Sequence, residues 1–460
     1  MKKKHLVFLF LLYGLSVQAQ KERVFTAEQL RNDFQFLKES FDKYNPALGV
    51  FHPTDDYEAL YDSLYNSLND EMTDVAFYPY LVQLGAATKE GHTFISSSDT
   101  ISNIFKGFFN GSFSYFPLSI RCIDERIYIW GNFSADSTLQ RGDEILRING
   151  EEVGSIMQRL QDFVIADGDI TSSKKTKAES SFASHYFWFI DQPEKFVITY
   201  RSQQSSTVQK ARISALPRDS MITWRNARYG PPASIKESKD IVYTFDIKDG
   251  IATLDLNTFN RQQKDKYKIK PKKLYKEIFT QLAKEEIEHL VIDVRSNTGG
   301  RREFAKHLLP YLMKREYSGV IYQDVSWKGK VNKKRFPKKS KRAFKGQVYV
   351  LTNATTFSNG SVVTIYAKEY GDAVVIGQEP GSRYEGFAAG STQYVVLPNT
   401  KIKVGIPRYL IQNVYPSAKT KLKNRGIVPD YPIEYSFSDL LEKKDKEKEK
   451  AMELIKEISK

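Results

Sequence analysis

The chain has 460 residues, of which 41% are hydrophobic, 27% charged and 13% aromatic. That balance excludes a disordered chain, and the length asks for two or three cores rather than one. A single cysteine, Cys122, excludes an internal disulfide and a cysteine-based metal site. Much of the formal net charge of +14 lies in one run, KGKVNKKRFPKKSKRAFK from Lys328 to Lys345. It carries no nucleic-acid-binding motif and reads as a solvated loop between two core elements.

Residues 1–19 read as a secretory signal. Lys2, Lys3 and Lys4 make a basic start, an apolar core runs from Leu6 to about Leu15, and Val17-Gln18-Ala19 has small residues where cleavage needs them. The core is too short to span a bilayer, and no cysteine follows to accept a lipid anchor. The expected mature start is Gln20 and the expected location is periplasmic or extracellular. No later segment is long and apolar enough to span a membrane.

Residues 20–105 read as a helical N-terminal domain. Leu30, Phe34, Leu37 and Phe41 recur at helical spacing, as do Tyr57, Leu60, Tyr61, Leu64 and Leu68. A third helix covers Asp74 to Ala87 and stops at Lys89-Glu90-Gly91. His92 follows directly. A histidine just past a helix end commonly does no more than meet the last carbonyls.

Residues 106–216 change to short alternating runs, Phe116 to Ile120, Arg126 to Trp130 and Glu144 to Ile148, with Asn149-Gly150 as a hairpin turn and a helix from Ile156 to Val164. Phe187 to Ile190 and Phe196 to Tyr200 look like a returning strand pair. The Gly142-Asp143, strand, Asn149-Gly150 pattern resembles PDZ domains, which bind extended chain ends at a sheet edge. A small β-domain that only covers a site elsewhere is the plainer alternative. Residues 217–240, with Pro217, Gly230, Pro231 and Pro232, read as a linker.

From residue 241 to 440 strands and helices alternate, as in an α/β core with its active loops at strand ends. Ile251–Leu256 is a strand, Lys272–Leu282 a helix and Leu290–Val294 a buried strand. Arg295-Ser-Asn-Thr-Gly-Gly300 is a glycine turn, followed by a helix marked by Phe304, Leu308, Leu309 and Leu312. Val348–Leu351 is a second buried strand. Asn353, Thr355, Thr356 and Ser358 lead from it into a helix that ends at Gly371. Residues 441–460 read as a charged C-terminal helix.

Ser358 therefore stands at a helix N-terminus, where free N–H groups and the helix dipole can stabilise an oxyanion. Taken alone, a serine there is more often a cap. The rest of the chain reverses that weighting. VIDVRSNTGG (291–300), VLTNATTFSNGS (350–361), the PDZ-like piece and the closing stretch GFAAGSTQYVVLPNTKIKVGIP with NRGIVPD (424–430) occur in one order. Together they resemble the tail-specific, or C-terminal-processing, serine proteases and their tricorn-like branch.

The resemblance implies an α/β fold with a Clp-protease/crotonase-like catalytic core, an N-terminal helical region and an inserted PDZ-like β-domain. It implies Ser358 as nucleophile and backbone oxyanion donors from Gly299 or Gly300 and from Asn359. The family's lysine base would fall on Arg383, which stays protonated and cannot act as a base. Arg383 is expected to affect substrate binding more than chemistry. The tricorn-like branch uses a histidine, and His92 matches that position. That branch also has a serine before its histidine and a glutamate near the closing motif. Here those positions hold Gly91 and Lys423, which leaves the group orienting His92 unidentified.

The implied activity is an exported serine endopeptidase acting on polypeptides or peptides through an acyl-enzyme. No cofactor, metal or nucleic-acid partner is expected, and the oligomeric state is not legible. Two other readings stay open: a catalytically inactive peptide-binding pseudo-protease, and a small-molecule or lipid-binding protein on the same fold. His185, His289 and His307 read as structural, and Asp293 and Arg295 as supports of the glycine turn.

Overall fold

The computed structural model describes residues 23–96, 113–233, 237–414 and 422–458. The expected signal segment lies outside them. Among the described residues no helix is long and apolar enough to cross a membrane.

A six-stranded sheet forms the centre, in the order Tyr243–Lys248, Ile251–Leu256, His289–Asp293, Gln347–Thr352, Val374–Gly377 and Tyr431–Pro432. Its first pair is antiparallel and the others are parallel. Parallel central strands are covered on both faces and so carry near-continuous apolar runs, as VYVL does here. Strand alternation sorts these residues into two layers. Leu290, Ile292, Val348, Val350 and Val375 pack with the helices Pro271–Lys284, Glu303–Leu312 and Asn359–Gly371. Val291, Tyr349, Leu351 and Ile376 pack against Ala451, Leu454 and Ile455 of the C-terminal helix Lys446–Ile458. The fold is thus mixed α/β, as the sequence implies.

The long strands Gly386–Val396 and Lys403–Asn413 form a second, antiparallel layer with Val320–Ser326 and Val331–Arg335. The basic run is therefore not wholly loop, because Val331–Arg335 closes the edge of this layer. Its side chains are exposed apart from half-buried Lys334, and Lys333 is among the exposed ones. Lysines on an edge strand discourage pairing with other chains.

The N-terminal helices Ala27–Tyr44, Asp55–Ser67 and Asp74–Ala87 share a core around Leu30, Phe34, Phe77 and Leu81. A short strand after them, Phe94–Ile95, adds to the long hairpin through Ile95 opposite Val404 and Phe94 opposite Gly405. That pairing ties residue 92 to the catalytic half of the chain.

The β-rich insertion has the strand order Val208–Ser214, Lys195–Arg201, Glu144–Ile148, Arg126–Asn132, Leu118–Ile123 and its own core. Asn149 and Gly150 both have positive φ, +52° and +88°, as a two-residue hairpin of the expected type requires. Two local expectations fail. Phe187–Ile190 is no strand: Phe182–Phe189 is a helix, FASHYFWF, that packs Phe182 and Tyr186 into the insertion and Phe187 and Trp188 into the N-terminal core. Burial on two sides overrides the β-propensity of its aromatics. The segment 217–240 is not plain linker, because Arg218–Tyr229 is a helix. Arg228 donates to the carbonyls of Asn132 and Ser134 at 2.9 and 2.6 Å and holds that helix on the insertion.

Candidate active site

The strand Gln347–Thr352 ends in a turn built by side chains. Asn353 Oδ1 accepts from the Ser296 N–H at 2.9 Å, Thr356 Oγ1 donates to the Val294 carbonyl at 2.9 Å, and the Phe357 N–H donates to the Asn297 carbonyl at 2.9 Å. The Ser358 N–H donates to Ser382 Oγ at 2.7 Å. So fixed, Ser358 sits at φ +53°, ψ −125°, directly before the helix Asn359–Gly371. Glycine adopts such angles readily; other residues hold them only under strain. The side chain makes no capping bond to the helix. It points instead at His92, whose Nε2 lies 3.1 Å from Ser358 Oγ across 266 residues of chain. The commoner reading of a serine at this position, a cap, does not hold.

The glycine turn lies against the same serine. Asn297 is buried, donates to the Leu256 carbonyl at 2.7 Å and accepts the Gly299 N–H at 2.8 Å. Gly299 is therefore not a free oxyanion donor, since its amide is spent inside the turn. The amides of Gly300 and Asn359 take no protein acceptor among the described residues. Asn359 Nδ2 donates to the Gly300 carbonyl at 2.6 Å and fixes those two residues together. Gly299 has another role. At φ +87°, a Cβ on it would stand 2.6 Å from Ser358 Cβ, so only glycine allows the two turns to meet.

His92 is half-buried between two rings, with Phe357 at 4.8 Å and Phe387 at 5.4 Å between centroids. Burial lowers its pKa from the ordinary value, the charge of Asp167 pushes the other way, and Lys177 lowers it further. A lowered pKa keeps the imidazole neutral, the form able to take a proton from serine.

Arg383 is fully buried and cannot meet a substrate. Its guanidinium donates to Glu90 Oε1 at 2.8 Å and to the Lys89 carbonyl at 2.6 Å, while Glu90 Oε2 accepts the Ala388 N–H at 2.7 Å. The expectation that Arg383 acts on substrate binding is thus replaced by a structural one: it clamps the turn that carries His92. Lys423 is exposed. Arg295 anchors the glycine turn, as expected, through Asp293 at 2.6 Å, and reaches beyond it to Asp445 at 2.6 Å and Glu447 at 3.1 Å at the start of the C-terminal helix. His185, His289 and His307 lie on other elements, beside Phe189, beside Tyr349 and on the helix Glu303–Leu312.

Sequence reasoning misses Asp167 and Lys177. Asp167 is fully buried and accepts the Gly91 N–H at 2.6 Å. Lys177 donates to the Ile165 carbonyl at 2.9 Å and lies 5.1 Å from the Phe357 ring centroid. Both come from the insertion. Their place arises from docking, in which the Gly168 N–H meets the Lys89 carbonyl at 2.9 Å and Lys89 pairs with Asp169 at 2.8 Å. No spacing in the sequence links them to His92.

A serine on a strained strand-to-helix turn, a histidine in hydrogen-bond reach and two open amides define the arrangement of a serine hydrolase. Residues 250–433 match the sequence model of peptidase family S41, the tail-specific proteases of the resemblance. Among solved structures, mature CPAF complexed with lactacystin is 13% identical, with 94% of this chain and 98% of that one covered and a TM-score of 0.64. Mature CPAF alone is 13% identical over 90% and 94%, with a TM-score of 0.60. These likenesses show a shared fold over nearly the whole length. The photosystem II D1 C-terminal processing protease is 14% identical over 89% and 94%, and its TM-score of 0.42 is too low to bear on the fold. No curated protein shows a significant sequence match.

Proposed function

We propose that the chain is an exported serine endopeptidase that cleaves polypeptides or peptides through an acyl-enzyme on Ser358. The observation that carries this reading is the 3.1 Å approach of His92 Nε2 to Ser358 Oγ. Neutral His92 takes the hydroxyl proton as Oγ attacks the scissile carbonyl. The amides of Gly300 and Asn359 receive the oxyanion, and the imidazolium then gives its proton to the leaving amine. Water repeats the sequence to release the acyl group.

On this reading substrate approaches through the neighbouring cleft. A cavity of ≈ 1310 Å³ runs between the insertion and the core, lined by Arg121 and Cys122 on one side and by Ser296, Asn353 and Thr355 next to the glycine and serine turns on the other. The sheet-edge strand Leu118–Ile123 borders it, which suits the PDZ-like reading of a site for an extended chain end. Export rests on the basic, apolar and small-residue pattern of residues 1–19.

The test is a fluorophosphonate label followed by peptide digestion. The folded wild-type chain labels at Ser358 and turns over peptide, with activity rising as His92 loses its proton. Ser358→Ala does neither, and His92→Ala labels slowly. A folded wild-type chain that neither labels nor cleaves denatured protein would falsify the reading.

A further inference from the structure

We propose that Asp167, supplied by the β-rich insertion, is the positioning residue of His92: one carboxylate oxygen holds the turn that carries the imidazole, and the other accepts Nδ1–H in the reacting arrangement. This rests on the reading of Ser358 and His92 as nucleophile and base.

Three observations lead to it. Asp167 is fully buried, and its Oδ1 accepts the N–H of Gly91, the residue beside His92, at 2.6 Å. Its Oδ2 and the Nδ1 of His92 are both buried and, among the described residues, without a hydrogen-bond partner. A buried polar atom left unpaired is costly, so two complementary ones at neighbouring positions mark a bond made in another state of the site. The fit is also tight: a Cβ on Gly91 would stand 2.9 Å from Asp167 Oδ1 and 2.8 Å from the Phe357 ring, so a larger residue at 91 would push the carboxylate and the imidazole turn apart.

The other charges near the ring do not compete. Glu90 has both oxygens engaged, by Arg383 and by the Ala388 N–H. Arg383 is spent on Glu90 and Lys89. Lys89 pairs with Asp169. Lys177, from the helix Thr171–Ser180, is a cation and opposes protonation of the ring. Asp167 is the carboxylate left with a free oxygen. Its role is to fix the tautomer with Nδ1 protonated, so that Nε2 presents its lone pair to Ser358, and to stabilise the imidazolium that forms. The insertion thereby completes the catalytic group, and undocking it removes the base's partner.

The experiment combines kinetics with ¹⁵N NMR of the His92 ring in the full chain. Asp167→Asn keeps an acceptor for the Gly91 N–H and removes only the charge. It should fold, lower kcat by about tenfold or more with KM little changed, and move the rising limb of the pH–rate profile to lower pH, because the imidazolium loses its counter-charge. A purely structural role predicts unchanged kcat and pH profile in this variant, and that result overturns the proposal. In the wild-type chain the neutral ring should carry its proton on Nδ1; a proton on Nε2 overturns the proposal even if the variant does not fold. If the wild-type chain has no peptidase activity the reading of function fails, and the ring still decides about Asp167: a lower imidazole pKa in Asp167→Asn supports it, and an unchanged one refutes it.

Discussion

Arg383 and Glu90 form an ion pair at 2.8 Å in which neither side chain is exposed. Burial pushes the Glu90 carboxyl up, to about 7, while Arg383 and the Ala388 N–H favour its ionised form. A buried pair adds little net stability, yet removing one partner strands the other charge. Arg383→Met should lower unfolding stability by about 3–5 kcal/mol and depress turnover by loosening the turn before His92. Adding Glu90→Leu should recover much of the stability. Urea melts of the single and double variants decide, and a single variant as stable as the wild type would sink the account.

Ser358 holds a strained backbone, makes no cap bond, and is only 8% exposed. Strain of this kind costs about 1–3 kcal/mol, partly offset in any glycine variant by about 0.5–1 kcal/mol of extra chain entropy. Ser358→Gly should therefore abolish turnover while leaving stability unchanged or raised by about 1 kcal/mol. A cap serine would behave in the opposite way, losing stability and keeping activity. Paired melting and turnover measurements on this variant separate the two roles.

Gly299 meets Ser358 more closely than any side chain permits, and its φ of +87° disfavours other residues in any case. Gly299→Ala should push the serine turn off the glycine turn. The expected result is loss of fluorophosphonate labelling together with a drop in melting temperature. Normal labelling in this variant would mean that the two turns do not need their contact.

The strand, turn and helix around Ser358 were legible because they are local: a VYVL run, turn residues and a helical pattern each speak over a few positions. The glycine turn was legible in the same way, although Asn297, which spends the Gly299 amide, was not singled out. His92 could be found only through the ordered resemblance, since nothing in residues 89–93 alone separates it from a histidine at a helix end. Asp167 was invisible, because its partners at 91 and 92 reach it through the docking of one core on another. The chemistry of arginine alone excludes Arg383 as a base. Its burial against Glu90, 293 residues away, required the fold. Phe182–Phe189 misled because an all-apolar aromatic run fits a buried helix as well as a strand.

His52 gives the clearest dependence of stability on pH. It is buried, and neither ring nitrogen has a partner among the described residues. Burial first, then the charges of Arg383 and Lys89, lower its pKa from 6.5 to about 4. Between those two values the unfolded chain binds the proton and the folded chain does not, so this group's contribution to stability falls as pH falls. The contribution is complete above about 6.5 and is lost progressively on acidification toward 4. His185, held down to about 4 by burial, acts over the same window. His52→Leu removes this protonation site at similar volume and leaves the others, among them His92, also lowered by burial, and Glu90, raised to about 7 with the opposite sign. Between pH 7 and pH 5 the wild type should lose melting temperature relative to this variant, because the other groups titrate alike in both chains. Superimposable pH profiles for the two chains would show that His52 titrates alike in the folded and unfolded states, and would refute its burial as a neutral ring.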